Sequence, residues 1–151
     1  MNNSSYYLIA DSIVNTYLIQ HCEIQPFLHP STSASPSSAS SPQKSDGPSP
    51  SSKDPIGLVI SSDATYFAPT SFPATLQVGL RVVKLGTSSV KYEVGIWEKE
   101  SSQDQIPAAA VVTHATHVFV DRISRRSVKA MPQALRTGLE KLVVSSSESK
   151  L

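Results

Sequence analysis

Residues 72–98 read FPATLQVGLRVVKLGTSSVKYEVGIWE, two runs of alternating apolar residues joined at a glycine. Leu76, Val78, Leu80 and Val82 mark the first run; Val90, Tyr92, Val94 and Ile96 mark the second, after Leu85-Gly86-Thr87. A period of two puts each set on one face of a strand. Glycine between two such runs signals a tight antiparallel hairpin, predicted over Thr75–Gly86 and Ser88–Glu98. One apolar face must be covered for such a hairpin to be stable, so the rest of the chain has to supply the cover.

The covering element is predicted near the N-terminus. Tyr6, Ile9, Ala10, Ile13 and Tyr17 recur at spacings of three and four, widened by Tyr7, Val14 and Leu18. This predicts a helix from Ser4 to about Cys22, covered on most sides, with capping residues among Asn2, Asn3, Ser4 and Ser5. Ile56–Phe67 reads as a further strand. Ala108–Asp121, apolar on both faces, reads as a central one. Lys99–Pro107 is a polar loop. Pro132 opens a short helix with the stripe Leu135, Leu139 and Leu142. One helix, four strands and a terminal helix predict an α+β domain, its antiparallel sheet packed on the first helix. The boundaries follow: 1–28 helical, 29–54 a Ser/Pro-rich insert, 55–144 the sheet and second helix of the same domain, 145–151 a polar tail. The insert, broken by Pro36, Pro42, Pro48 and Pro50, has too little apolar surface to offset its ordering entropy and is expected to be disordered.

The 151 residues fit one domain. A formal net charge of +1 gives no pull toward nucleic acid or membrane. The single cysteine, Cys22, excludes an internal disulfide and a multi-cysteine metal site. No run is apolar for the roughly 20 residues that cross a bilayer, and the N-terminus lacks a basic leader. A cytoplasmic location is expected, mitochondrial only if an upstream segment is missing.

His114 and His117, three apart on a strand, point to opposite faces and cannot share an ion; both are read as structural, and no metal is expected. His21 and Cys22 adjoin at a helix end without facing one another. Arg122, Arg125, Arg126 and Lys129 read as a solvated turn or as a phosphate-binding cluster. Asp11 stands mid-helix among Ile9, Ala10 and Ile13. It belongs either to a polar seam with Ser12 and Asn15 or to a functional site, since carboxylates are seldom placed on apolar faces without purpose.

Four segments resemble the hotdog-fold thioesterases, specifically the 4-hydroxybenzoyl-CoA thioesterase-like group. Asn2-Asn3-Ser4-Ser5-Tyr6-Tyr7 resembles the family's "HVNN..Y" helix start. Tyr66-Phe67-Ala68-Pro69 followed by Phe72-Pro73 resembles its "Y..P..F" junction. Residues 81–90, RVVKLGTSSV, resemble its "R(V/L)…LG.SS(V/F)" hairpin, and His117–Arg122 its last strand. The resemblance implies a long central helix wrapped by a curved antiparallel sheet, and a homodimer or dimer of dimers with active sites at the subunit interface. It implies hydrolysis of acyl-CoA thioesters, coenzyme A entering as part of the substrate and no cofactor being needed. A backbone N–H at the helix start polarises the thioester carbonyl in this family; the matching position is Asn3. Helix N-termini offer such unpaired donors.

The sequence departs from the family pattern ahead of the helix. Met1 stands where the motif has valine, and the first strand with its "D…GH" loop, which carries the usual carboxylate, has no counterpart. The domain is therefore expected to lack the family's first strand, with a catalytically incomplete or truncated protein of structural or acyl-CoA-binding role as the alternative. A second branch of the family carries its carboxylate on the central helix, eight residues beyond the oxyanion donor, and Asp11 is eight residues beyond Asn3. That span is about 12 Å of helix and would be closed across a dimer. Lys84, Gly86, Thr87 and Ser89 at the hairpin turn, together with Arg125 and Arg126, are the candidate contacts for coenzyme A phosphates. Turn geometry for Gly86 and solvated charge for Lys84 are the alternative readings.

Overall fold

A computed structural model describes residues 2–24, 54–99 and 108–144. The expected insert (29–54, save Asp54), most of the polar loop and the tail lie outside the described residues. Helix α1 (Asn3–His21) begins where the side chain of Asn2 accepts the Ser4 amide at 3.3 Å, an N-cap in extended backbone. It ends at Cys22, whose N–H reaches the Leu18 carbonyl.

Four strands follow, β1 (Ile56–Tyr66), β2 (Leu76–Leu85), β3 (Ser89–Glu98) and β4 (Val111–Val120), and then helix α2 (Gln133–Glu140). The hairpin forms as predicted, β2 pairing antiparallel with β3 from Leu76 opposite Glu98 to Leu85 opposite Val90. The sheet order is β1-β4-β3-β2, with every pairing antiparallel. β4 is central, as its two apolar faces predict, and β1 and β2 are the edges. β1 and β2 each carry an irregularity, at Val59/Ser61 and Val82/Lys84.

Period two sorts the sheet into two chemistries. On the inner face Val90, Tyr92, Val94, Ile96, Val111 and Phe119 pack with Tyr6, Ala10, Val14 and Leu18 of α1, and with Leu135 and Leu139 of α2. The outer face is polar: Arg81, Glu93, His114 and Asp63 form a chain of one ion pair and two hydrogen bonds that crosses all four strands. The Tyr17 hydroxyl donates to the Gly138 carbonyl at 2.7 Å and ties α1 to α2.

The predicted helix stripe is corrected in one respect. Its buried line is Tyr6, Ala10, Val14 and Leu18, four residues apart throughout, while Ile9, Ile13 and Tyr17 are half-buried. α1 is not covered on most sides: Tyr7, Leu8 and Ile19 are exposed. A single sheet face is too narrow to cover all its apolar positions. Pro132, expected inside the first turn of α2, stands one residue before the helix as its N-cap. Among the described residues no helix is long and apolar enough to cross a membrane.

Candidate functional site

Two hollows flank α1. The first lies at its start, where the β1–β2 connection folds back over the helix. Several contacts hold that connection in place. The Tyr6 and Thr70 hydroxyls share a buried hydrogen bond of 2.7 Å, and the Tyr6 ring meets Tyr66 edge-on at 5.6 Å between centroids. The amides of Phe67 and Ala68 both donate to the Ala110 carbonyl. The result is a hollow of about 370 Å³ bordered by Asn3, Tyr6, Tyr66 and residues 67–70. In the first turn of α1, Ser4 and Ser5 donate to Asn2. The Asn3 amide has no acceptor among the described residues. It is an open donor at the positive end of the helix dipole.

The second hollow, about 280 Å³, lies farther along α1, between its flank and the inner face of the sheet. α1 contributes Tyr7, Ala10, Asp11 and Val14; β1 contributes Val59 and Ser62; β3 and β4 contribute Val94, Thr113, His114, Ala115 and His117. The walls are mainly apolar, and the ionisable groups on them are few. Asp11 is solvent-facing and accepts Asn15 Nδ2 at 3.0 Å. His117 is only 5% exposed, its ring set edge-on to Tyr92 at 5.0 Å. Neither His117 Nδ1 nor the Tyr92 hydroxyl has a hydrogen-bond partner among the described residues. Burial holds the His117 pKa below the ordinary 6.5, against the opposing pull of the Asp11 carboxylate. The imidazole is therefore neutral at pH 7.

Asn3, Tyr7 and Asp11 stand four residues apart and run along one side of α1, so the helix strings the two hollows together. Asp11 bonds to Asn15, as a polar seam would have it, and it also lines the second hollow. The hairpin-turn residues stand elsewhere. The Glu98 end of β3 adjoins the helix start through its carboxylate contact with the Ser71 amide. Lys84, Gly86, Thr87 and Ser89 lie at the opposite end of the ten-residue β3, about 30 Å away at 3.3 Å per residue. Gly86 and Thr87 have structural work there. The Gly86 amide donates to the Ser89 carbonyl at 2.8 Å, its carbonyl accepts Arg136 at 3.2 Å, and the Thr87 carbonyl accepts the Met131 amide. Lys84 is exposed and sits opposite Lys91. Arg125 and Arg126 occupy an exposed turn, organised by the Asp121 carboxylate accepting the Ile123 and Ser124 amides. One protomer thus does not bring these groups to Asn3.

His114 and His117 do face opposite ways. His114 is bound outward by Asp63 at 2.9 Å and Glu93 at 3.0 Å. His117 points inward and lines the second hollow, a position the reading of it as structural did not specify. The signal was present in the alternation, which puts His117 in register with the inward Val111, Thr113 and Phe119.

Comparison with known proteins agrees with this architecture. The model of the thioesterase superfamily matches residues 1–104. The crystal structure of the PA5185 protein from Pseudomonas aeruginosa is 36% identical, with a TM-score of 0.69 over 97% of this chain and 81% of that one. A Staphylococcus aureus protein solved in complex with CoA superposes with a TM-score of 0.66 at 13% identity, over 97% of this chain and 77% of that one. A 1,4-dihydroxy-2-naphthoyl-CoA thioesterase from Synechocystis gives 0.63 at 13% identity, over 94% and 84%. No curated protein matches. The helix laid on a four-stranded antiparallel sheet is the hotdog fold, and with a family match over residues 1–104 the chain belongs to the thioesterase superfamily.

Proposed function

We propose that this protein hydrolyses acyl-CoA thioesters at a site completed by a second copy of the chain. The thioester carbonyl lies at the start of α1, its oxygen facing the Asn3 amide. Water attacks the carbonyl carbon and gives its proton to the carboxylate of Asp11. The oxyanion gathers its charge against the Asn3 N–H, a fixed donor that needs no rearrangement as charge develops. Collapse of the tetrahedral intermediate breaks the C–S bond, and the departing thiolate takes the proton held by Asp11, giving a carboxylic acid and free coenzyme A and restoring the Asp11 carboxylate. The observation that carries this reading is the uncommitted Asn3 amide on the same side of α1 as Asp11, each opening on a hollow.

Asn3 and Asp11 of one helix are about 12 Å apart, too far to act on one carbonyl. An antiparallel pair of α1 helices would set Asn3 of one copy against Asp11 of the other. The exposed Tyr7 and Leu8 of α1 and the exposed Leu58, Val59 and Ile60 of the edge strand β1 supply apolar surface for that pairing. The same separation favours a second reading for an isolated protomer, which would bind acyl-CoA without turning it over.

The test is thiol release from a panel of acyl-CoAs, run beside a mass measurement. Turnover by a dimer is expected. Asp11→Asn should abolish it with the fold intact. Asn3→Pro removes the N–H at a helix position where proline is tolerated and should slow hydrolysis about 100-fold or more. A folded dimer that releases no thiol from any substrate would refute hydrolysis; a monomer that binds acyl-CoA and releases none would support the second reading.

A further inference from the structure

We propose that His117 is a specificity-determining residue, selecting acyl groups that carry a hydrogen-bonding oxygen at their far end over plain hydrocarbon chains of equal length. The proposal rests on the acyl-CoA reading above, with the cavity between α1 and the sheet as the seat of the acyl group.

The argument starts from an imbalance. A buried polar group without a partner costs roughly 1–3 kcal/mol, and in the nine-tenths buried His117 the Nδ1 atom, packed against Gly57 of β1, has none among the described residues. Its edge-on contact with Tyr92 fixes the ring but supplies no hydrogen bond, because the Tyr92 hydroxyl is itself unpartnered. A His placed only for packing would be satisfied by a backbone carbonyl or by a side chain such as Ser62 or Thr113, which share its cavity. His117 instead forms part of the wall of a hollow of about 280 Å³ in which Val59, Val94, Ala115 and Val14 supply hydrocarbon surface.

A neutral imidazole on an apolar wall offers one donor and one acceptor. A hydroxyl on the acyl chain can satisfy either, and an oxo group the donor; a methyl terminus satisfies neither and seals the imidazole off from water. Sites that hold such an unmet polar group discriminate strongly against the analogue that lacks its complement. His117 projects from β4 and Asp11 from α1, so the polar atoms lie on both sides of the hollow while the hydrocarbon lies between. That arrangement suits a short or medium acyl group, apolar along its length and polar at its tip.

The experiment uses pairs of non-hydrolysable thioether analogues of acyl-CoA, graded in chain length, each pair differing only by a terminal hydroxyl. Calorimetric titration of the whole protein should show, at one chain length or more, about tenfold tighter binding of the hydroxylated member. His117→Phe, with its fold verified by circular dichroism, should bring that ratio near one. His117→Gln, which restores a donor and an acceptor, should recover most of it. Equal affinities at every length, no binding by either member, or a preference that survives His117→Phe would each overturn the assignment. The wild-type arm needs no variant, so a misfolded mutant cannot shelter the idea. Because thioethers report binding alone, the ratio is separable from hydrolysis. A protein that shows it but releases no thiol from any acyl-CoA thioester refutes the hydrolytic reading and keeps the role of His117; one that hydrolyses acyl-CoA thioesters but binds both members of every thioether pair equally does the reverse.

Discussion

Gly138 illustrates how one absent methyl group sets the distance between two helices. A Cβ there would lie 2.5 Å from Cys22 Sγ and 2.7 Å from the His21 carbonyl oxygen, so α2 can approach the end of α1 only because Gly138 has none. Alanine in place of glycine within a helix ordinarily stabilises by about 1 kcal/mol. Here the added carbon meets a buried sulfur and backbone, and Gly138→Ala is expected to cost about 1–3 kcal/mol. The urea midpoint decides the sign, and an increase would contradict the packing described. His117 makes a second claim at this scale. With its pKa below 6.5 in the folded protein, the unfolded chain binds the proton first as the solution is acidified. The stability this residue permits is full above pH 6.5 and falls as the pH drops below that toward the folded value. Denaturant midpoints should decline over that window, and His117→Phe should flatten that part of the decline.

Among elements, the β2–β3 hairpin and α1 make an instructive contrast. The hairpin was legible residue by residue because alternation and a glycine turn are local signals, and its ends fall within one residue of those predicted. α1 was legible as a helix, but its buried line was not. Its apolar residues occupy more than one face, and only the sheet's placement decides that Tyr6, Ala10, Val14 and Leu18 turn inward while Tyr7 and Leu8 do not. The same limit applied to the site. Asn3 and Asp11 could be singled out from sequence, whereas the cavity that joins Asp11 to His117 depends on how α1 lies across β4, which no local pattern encodes. The polar face of the sheet also became readable only once the strands were ordered. Glu93 on β3 holds both Arg81 at 2.6 Å and His114 at 3.0 Å, so one carboxylate serves three strands. Glu93→Gln is expected to lower stability by about 1 kcal/mol, more so at low salt than at high, as read by chemical denaturation at two ionic strengths.

At the scale of the whole molecule, the surface has an uneven distribution of apolar side chains. Val59 is 54% and Ile60 63% exposed on the edge strand β1, Val59 sharing a hollow with the exposed Tyr7, and Leu8 is exposed on α1. An open strand edge with flanking hydrocarbon invites pairing with another chain. The protein is expected to run as a dimer in light scattering, and Ile60→Lys should shift it toward monomer while abolishing thioester hydrolysis in the same samples. A variant that stays fully active as a monomer would argue against a shared site.

The order β1-β4-β3-β2 has a kinetic corollary. β2, β3 and β4 succeed one another as neighbours, so each can pair soon after its predecessor. β1 comes before all three in the chain, yet among the described residues its only strand neighbour is β4, the last to be made. Its docking must wait for the longest loop to close, and loop closure of that kind slows assembly. Pulsed hydrogen exchange during refolding should find the amides of β3 protected before those of β1. The strand that completes the sheet last is itself an edge strand, so until it docks β4 also presents an unpaired edge, and that interval is the time when the protein is most open to mispairing.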